Sequence, residues 1–251
     1  MTDRRPPIPY RSLETLFLDV GNTLVSMDFG WVRAELAAVG IPCTAGELRR
    51  AEAAGRPHFS AALTDGGAGG HEDFFSAYLR IMLTHLDGPM LRSPRDPSEI
   101  ADLLAPVLGG PGCMQRLWSW VLPGVREALG ALREMGLKLL AVSNADGTVE
   151  EGLIRLGLRP YFDAVLDSHH VGFEKPDPRI FDRAIEISGA TRDRTLHVGD
   201  IYAVDVLGAR AAGLHALLVD PFDDWSGVDC VRIPDLAALA AGFTAGACGN
   251  E

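Results

Sequence analysis

The stretch LFLDVGNTLV, residues 16–25, runs an apolar segment directly into Asp19 and then into a Gly21-Asn22 turn. An aspartate at a strand end often does no more than form an Asx-type turn. Three later segments change that reading: AVSNADG (141–147), GFEKPDP (172–178) and HVGDIYAVD (197–205). Each follows or flanks a short β-like run and presents a polar group where the run ends. Four such endings in one chain point to a single site assembled along one edge of a sheet.

Outward from this stretch, TLFLDV at 15–20 is apolar on both faces, as a central parallel strand should be. From Trp118 onward, amphipathic helices alternate with short apolar strands: helix 125–136, strand 137–143, helix 148–158, strand 162–168, helix 177–189, strand 194–200, helix 203–213, strand 215–220, then a last strand and helix over 230–243. Such alternation predicts an α/β fold, a Rossmann-like parallel sheet with helices on both faces. The segment between has another character. Residues 31–64 carry helical spacing in two stretches parted at GIPCTAGE, where Thr44 and Glu47 form a capping box. After the DGGAGG break at 65–70 a third helix follows over 71–86, then a loop (88–97), a helix (96–108) and a GGPGC break. Nothing between 28 and 117 reads as a strand. The predicted organisation is an N-terminal leader (1–14), a core (15–27 and 118–243), an inserted all-helical cap (28–117) and a frayed tail (244–251).

Composition narrows the function classes. The 251 residues carry a formal net charge of −11 with no long basic run, which excludes a surface for wrapping nucleic acid. No apolar stretch reaches the ~18 residues that span a bilayer, and no apolar segment precedes Leu16 as a secretory signal would require. These features predict a cytoplasmic protein without membrane partners; monomer and homodimer both stay open. The four cysteines are dispersed and read as small buried hydrophobes, not a zinc site. Lysine is more telling: Lys138 and Lys175 are the only two in a chain that otherwise uses arginine. A retained lysine raises the question of what a guanidinium could not do there.

Ligands of open α/β sheets bind beyond the carboxyl ends of the strands, where Asp19, Ser143, Lys175 and Asp200 all fall. Asp19, Asp200 and Asp205 cannot gather unpaired in one cleft without raising each other's pKa. A hard divalent cation relieves this, and Mg²⁺ suits few carboxylates and several waters. Three carboxylates against one Mg²⁺ and Lys175 sum to zero, so an arriving phosphate meets no net repulsion.

Through these four motifs, in this order, the chain resembles the haloacid dehalogenase (HAD) superfamily of hydrolases with a helical cap inserted after the first strand. The likeness covers residues 15–28 and 118 to about 233. It implies that Asp19 is the nucleophile forming a covalent aspartyl intermediate. Ser143 would hydrogen-bond the transferring group with Asn144 beside it, and Lys175 would steady nucleophile and substrate charge. Asp19, Asp200 and the backbone carbonyl of Gly21 would hold Mg²⁺, with Asp205 either a ligand or a residue that orients one. Asn22 and Thr23 join Asn144 as expected substrate-binding residues.

The chain departs from the family at one position. Most of its phosphatases read D-x-D, whereas this chain reads Asp19-Val20-Gly21. The second aspartate is a general acid, a group contributing typically ~10²–10⁴-fold. An ester phosphatase lacking it is slow unless His169, His170, Asp28, Asp146 or water substitutes, and acyl or aryl phosphates suffer least. His197, in an apolar strand, reads as a core histidine. The expected function is therefore a Mg²⁺-dependent hydrolase of a small anionic metabolite, phosphorylated or otherwise activated. Two alternatives stand beside it: a metal-independent 2-haloacid dehalogenase, favoured by the missing acid and the Ser-Asn pair, and a non-catalytic anion-binding protein. The phosphonate-cleaving branch needs a cap lysine, and residues 28–117 contain none.

Overall fold

The computed structural model of the protein describes residues 6–64 and 71–248. Residues 1–5 of the expected leader, the DGGAGG break and residues 249–251 of the expected tail lie outside the described residues. In chain order the elements are β1 (Thr15–Leu18), β2 (Val25–Met27), α1 (Phe29–Ala38), α2 (Ala45–Thr64), α3 (His71–Thr84), α4 (Asp87–Leu91), α5 (Pro97–Leu108), α6 (Met114–Leu117), β3 (Trp118–Val121), α7 (Val125–Glu134), β4 (Lys138–Ser143), α8 (Val149–Arg155), β5 (Ala164–Asp167), α9 (Ser168–Val171), α10 (Pro178–Ser188), β6 (Thr195–Gly199), α11 (Leu207–Ala211), β7 (His215–Val219), β8 (Val231–Ile233) and α12 (Leu236–Cys248). The chain divides into two units, one of Met1–Ser26 with Val121–Glu251 and one of Met27–Trp120. Among the described residues no helix is long and apolar enough to cross a membrane.

The first unit is built on a six-stranded parallel sheet of order β5-β4-β1-β6-β7-β8. β1 lies between β4 and β6, and after β5 the chain returns to the other side of β1, so the strand order reverses there. This is the place where open α/β sheets form a crevice. β1 is buried along its whole length. Phe17 joins a core cluster with Ile180 and Phe181 of α10 and Ala209 of α11. Leu16 and Leu18 point to the opposite face and are equally buried; helices α7 and α12 pack on each other.

Register sets the site's edge. Leu18 pairs with Ala141 of β4 and with Val198 of β6. Asp19 therefore stands one residue past these pairs, and Ser143 and Asp200 two, all at the carboxyl ends.

The second unit contains α1 to α6. Its capping box is formed: Glu47 N–H donates to Thr44 Oγ1 at 3.1 Å and Thr44 N–H to Glu47 Oε2 at 2.7 Å. Phe59 packs edge-on against Phe74 and Tyr78, and a buried Arg56–Glu52 ion pair at 2.7 Å receives the Tyr78 hydroxyl.

Four local features differ from the sequence reading or add to it. The supposed loop at 88–97 begins inside a helix, α4, because Pro89 in a first turn removes an N–H that has no helical partner there. The short strands β2 and β3 pair with each other across more than ninety residues, which no local pattern reports. The leader is tied down, with Leu13 buried and Tyr10 edge-on to Phe243 at 5.0 Å. The terminal helix continues past Phe243 to Cys248.

Helix α10 follows directly from the GFEKPDP motif. Asp177 is its N-cap, accepting from Arg179 N–H at 2.9 Å, Pro178 opens the first turn, and Gly189 closes it at φ 64°. The Arg179 guanidinium, and after it the Arg179 N–H, hold the Asp177 carboxyl down to about 2 from an ordinary 3.8. A lowered folded-state pKa contributes stability above the unfolded value and loses it as pH falls through the folded one. Asp177→Ala should therefore melt below wild type at neutral pH, with the gap closing as pH falls from 3.8 toward about 2. Thermal melts across that range check this; a gap unchanged at the acid end would exclude the ionised cap as its source.

Candidate active site

Asp19 follows β1, its N–H donating to Val198 O at 2.9 Å. The chain then closes a tight turn. Leu24 and Val25 N–H both donate to Val20 O at 3.0 Å, and Asn22 N–H donates to Val25 O at 2.5 Å. Closure puts Asn22 at φ 50°, a left-handed conformation that asparagine tolerates better than most residues. Asn22 Oδ1 accepts from Ser26 Oγ at 2.8 Å, and the Thr23 side chain is buried. Both were expected to bind substrate; the Asn22 side chain is bonded within the turn, whereas Thr23 Oγ1 is buried with no hydrogen-bond partner among the described residues.

Lys175 lies between α9 and α10, 3% exposed, and its ammonium bridges two carboxylates: Nζ donates to Asp19 Oδ1 at 2.6 Å and to Asp205 Oδ1 at 2.7 Å. Burial alone would discharge it, but the two carboxylates outweigh burial and raise its pKa, so it stays charged. Asp19 feels burial most strongly. Lys175 opposes that effect and Asp205 adds to it, leaving the Asp19 carboxyl pushed up to about 6. Asp205 is equally buried, yet Lys175 and His197 hold it well below the carboxylate range.

Asp205 is held from several sides. Besides Lys175 it accepts from His197 Nε2 at 2.9 Å and, through Oδ2, from Ile201 N–H at 2.9 Å. Burial lowers the pKa of His197, so a neutral imidazole donates Nε2–H to the ionised carboxylate. The carboxylate reaches these partners from a π-helical turn, Tyr202–Val206, a distortion frequent at functional sites. It rests over the end of β6, where a Cβ on Gly199 would stand 2.1 Å from Asp205 Cγ. Glycine at 199 is thus a condition for the geometry.

Asp205 was expected to be either a metal ligand or a residue that orients one. Its oxygens are engaged by a lysine, a histidine and a backbone N–H, which makes it a holder of Lys175. Among the described residues no group of three or more His, Cys, Asp or Glu side chains gathers as a metal cage. At the ends of β1 and β6 the carboxylates remaining are Asp19 and Asp200, both buried, with the Gly21 carbonyl as third candidate donor. So sparse a set of oxygens fits Mg²⁺, which keeps most of its waters, and does not fit zinc.

Ser143 closes β4 and is buried. Asn144 was expected to touch substrate, but its amide is spent on the lysine loop: Oδ1 accepts from Lys175 N–H and Nδ2 donates to Lys175 O, each at 2.7 Å. The residues considered as substitutes for the missing acid have local partners of their own. Asp28 caps α1 through Trp31 N–H at 3.0 Å and Asp146 caps Thr148. His169 and His170 are exposed on α9, packed near Gly147.

The family profile of haloacid dehalogenase-like hydrolases matches residues 13–213. This chain belongs to that family. A Bos taurus relative, haloacid dehalogenase-like hydrolase domain-containing protein 3, is 39% identical over 53% of this chain and 52% of its own length. Glyceraldehyde 3-phosphate phosphatase of Methanothermobacter thermautotrophicus is 40% identical over 47% of this chain and 56% of its own. The chain thus spans about half the length of the curated relatives it matches. In fold it resembles the HAD-hydrolase YfnB of Bacillus subtilis, solved bound to magnesium (TM-score 0.65, 20% identity, covering 92% of this chain and 98% of that one). It also resembles L-2-haloacid dehalogenase of Xanthobacter autotrophicus (TM-score 0.56, 20% identity, covering 91% and 97%).

In this HAD-like hydrolase, sequence reasoning missed the part played by His197. It sits in β6 like a core residue, and its one legible signal was a polar side chain in an otherwise apolar strand. Gly199→Ala should drive Asp205 off the strand end, an overpacking that costs about 1–3 kcal/mol. The expected result is a lowered melting temperature together with loss of anion binding; calorimetric titration with phosphate checks it, and unchanged binding would show that Asp205 does not govern the site.

Proposed function

We propose that the protein is a Mg²⁺-dependent phosphohydrolase of small phosphorylated metabolites, acting in the cytoplasm through a covalent intermediate on Asp19. The observation that carries this reading is the Lys175 ammonium bridging Asp19 and Asp205 at the strand ends. The names of the phosphatase relatives agree with it.

An Asp19 oxygen attacks phosphorus, forming an aspartyl phosphate as the bond to the leaving oxygen breaks. Lys175, fixed by Asp205, offsets charge on the nucleophile and on the transferring group without reorganising. Ser143 hydrogen-bonds a phosphoryl oxygen. Water then attacks phosphorus, releasing phosphate and restoring the Asp19 carboxylate. Asp19, Asp200 and the Gly21 carbonyl would hold Mg²⁺, which when bound supplies charge neutralisation and alignment of the phosphoryl oxygens. Asp205 remains the support of Lys175, outside the ligand set.

With Gly21 in place of an acid, no side chain at that position protonates the leaving oxygen. Leaving groups stable as anions, in acyl and aryl phosphates, should react best, and alkyl esters should lag by about 10²–10⁴-fold. The same glycine favours a second reading, metal-independent dehalogenation of a 2-haloacid. That chemistry needs no acid, but it has no use for Asp200, and here the Asn144 amide is already occupied.

Hydrolysis of acetyl phosphate and p-nitrophenyl phosphate is expected with Mg²⁺, lost in EDTA and lost in Asp19→Asn. Halide release from a 2-haloacid that persists in EDTA would replace this reading with the second. Phosphate binding without turnover on a broad panel would mark a binding protein.

A further inference from the structure

The machinery proposed above uses the side chain of Lys175 and leaves open what fixes its backbone. Lys175 has a long side chain whose ammonium must meet two carboxylates at once, and such a chain carries about 2 kcal/mol of rotamer entropy. A shift of its Cα would be passed on to Nζ. The residue lies in a connection between α9 and α10, outside any strand ladder.

Asn144 supplies the missing ladder. Its carboxamide accepts from Lys175 N–H and donates to Lys175 O, both at 2.7 Å and across 31 residues of sequence. One amide plane thus satisfies both main-chain groups of one residue, as a neighbouring strand would. The next residue of the loop is closely approached by α11: a Cβ on Gly208 would stand 2.8 Å from Pro176 Cα. Asn144 itself directly follows Ser143, the last residue of β4. The lysine is thereby referenced to the sheet.

We infer that Asn144 is a positioning residue: it clamps the Lys175 main chain to the end of β4 and so sets the ammonium for the transfer at Asp19, without touching substrate. Aspartate at 144 would keep an acceptor for Lys175 N–H but lose the donor to Lys175 O. Alanine would lose both. Glutamine would set the amide one methylene too far. The inference rests on the phosphohydrolase reading for its effect on rate, whereas the clamp itself can be read without turnover.

The test uses the full chain with Mg²⁺. Misplacing a catalytic group by about 1 Å can cost ~10²-fold, so Asn144→Ala should lower kcat for p-nitrophenyl phosphate by about 10–100-fold with KM little changed. Asn144→Asp should fall between it and wild type. Amide hydrogen exchange gives the second readout: the Lys175 N–H should exchange about tenfold or more faster in Asn144→Ala and stay protected in Asn144→Asp, which retains its acceptor. A raised KM with unchanged kcat would make Asn144 a substrate contact and overturn the proposal, as would unchanged exchange in Asn144→Ala. Should the alanine variant fail to fold, the aspartate variant carries the test: reduced kcat with retained protection supports the clamp, and unchanged kcat overturns it. If wild type turns over no phosphate ester or anhydride, the phosphohydrolase reading fails, and the exchange pattern alone still decides whether Asn144 holds the Lys175 main chain.

Discussion

A single buried ammonium organises the site. Lys175 is removed from water and would lose its proton there without opposite charge nearby, so its presence in charged form requires Asp19 and Asp205 to stand where they do. The dependence also runs the other way. Asp19 and Asp205, crowded at one sheet edge, repel each other, and the lysine between them lets both be buried. The two carboxylates respond differently because their other partners differ. Asp205 has His197 and a backbone N–H besides the lysine, while Asp19 is left nearer to protonation, with its carboxyl pushed up to about 6.

The sheet delivers these groups. A parallel sheet ends its strands on one edge, and the reversal of strand order at β1 leaves a crevice there. The residues bordering β1, β4 and β6 at that edge need no long loops to meet. Lys175 arrives by another route, along a connection bonded to Asn144 and closely approached at Pro176 by Gly208. Asp205 returns toward the sheet through a π-helical turn over a glycine. Strand ends supply direction, and two glycines supply the clearance that side chains would have blocked.

The missing acid at position 21 is the chain's own departure within this frame. The turn around Gly21 and Asn22 is closed by backbone hydrogen bonds from Leu24 and Val25 to Val20, so its shape does not depend on a carboxylate at position 21. In the proposed mechanism, losing the acid would leave the surroundings of Asp19 standing and change which leaving groups can depart.

The sequence by itself determined the alternating α/β core, the helical character of the insertion and the roster at the sheet edge. Each of these is written in local periodicity or in a short motif: apolar runs such as 16–18, the capping box of Thr44 and Glu47, and G-D-x-x-x-x-D. Only the tertiary structure decided what the roster does. That Asp205 holds a lysine depends on His197, Ile201 and Lys175 converging on one carboxylate. That Asn144 serves the backbone of Lys175 depends on two loops 31 residues apart lying side by side. The pairing of β2 with β3 and the anchoring of Tyr10 on Phe243 are of the same kind. Motifs report which groups reach the edge, because that follows from strand periodicity. Which group pairs with which is settled by distance in space, and spacing along the chain carries no record of it.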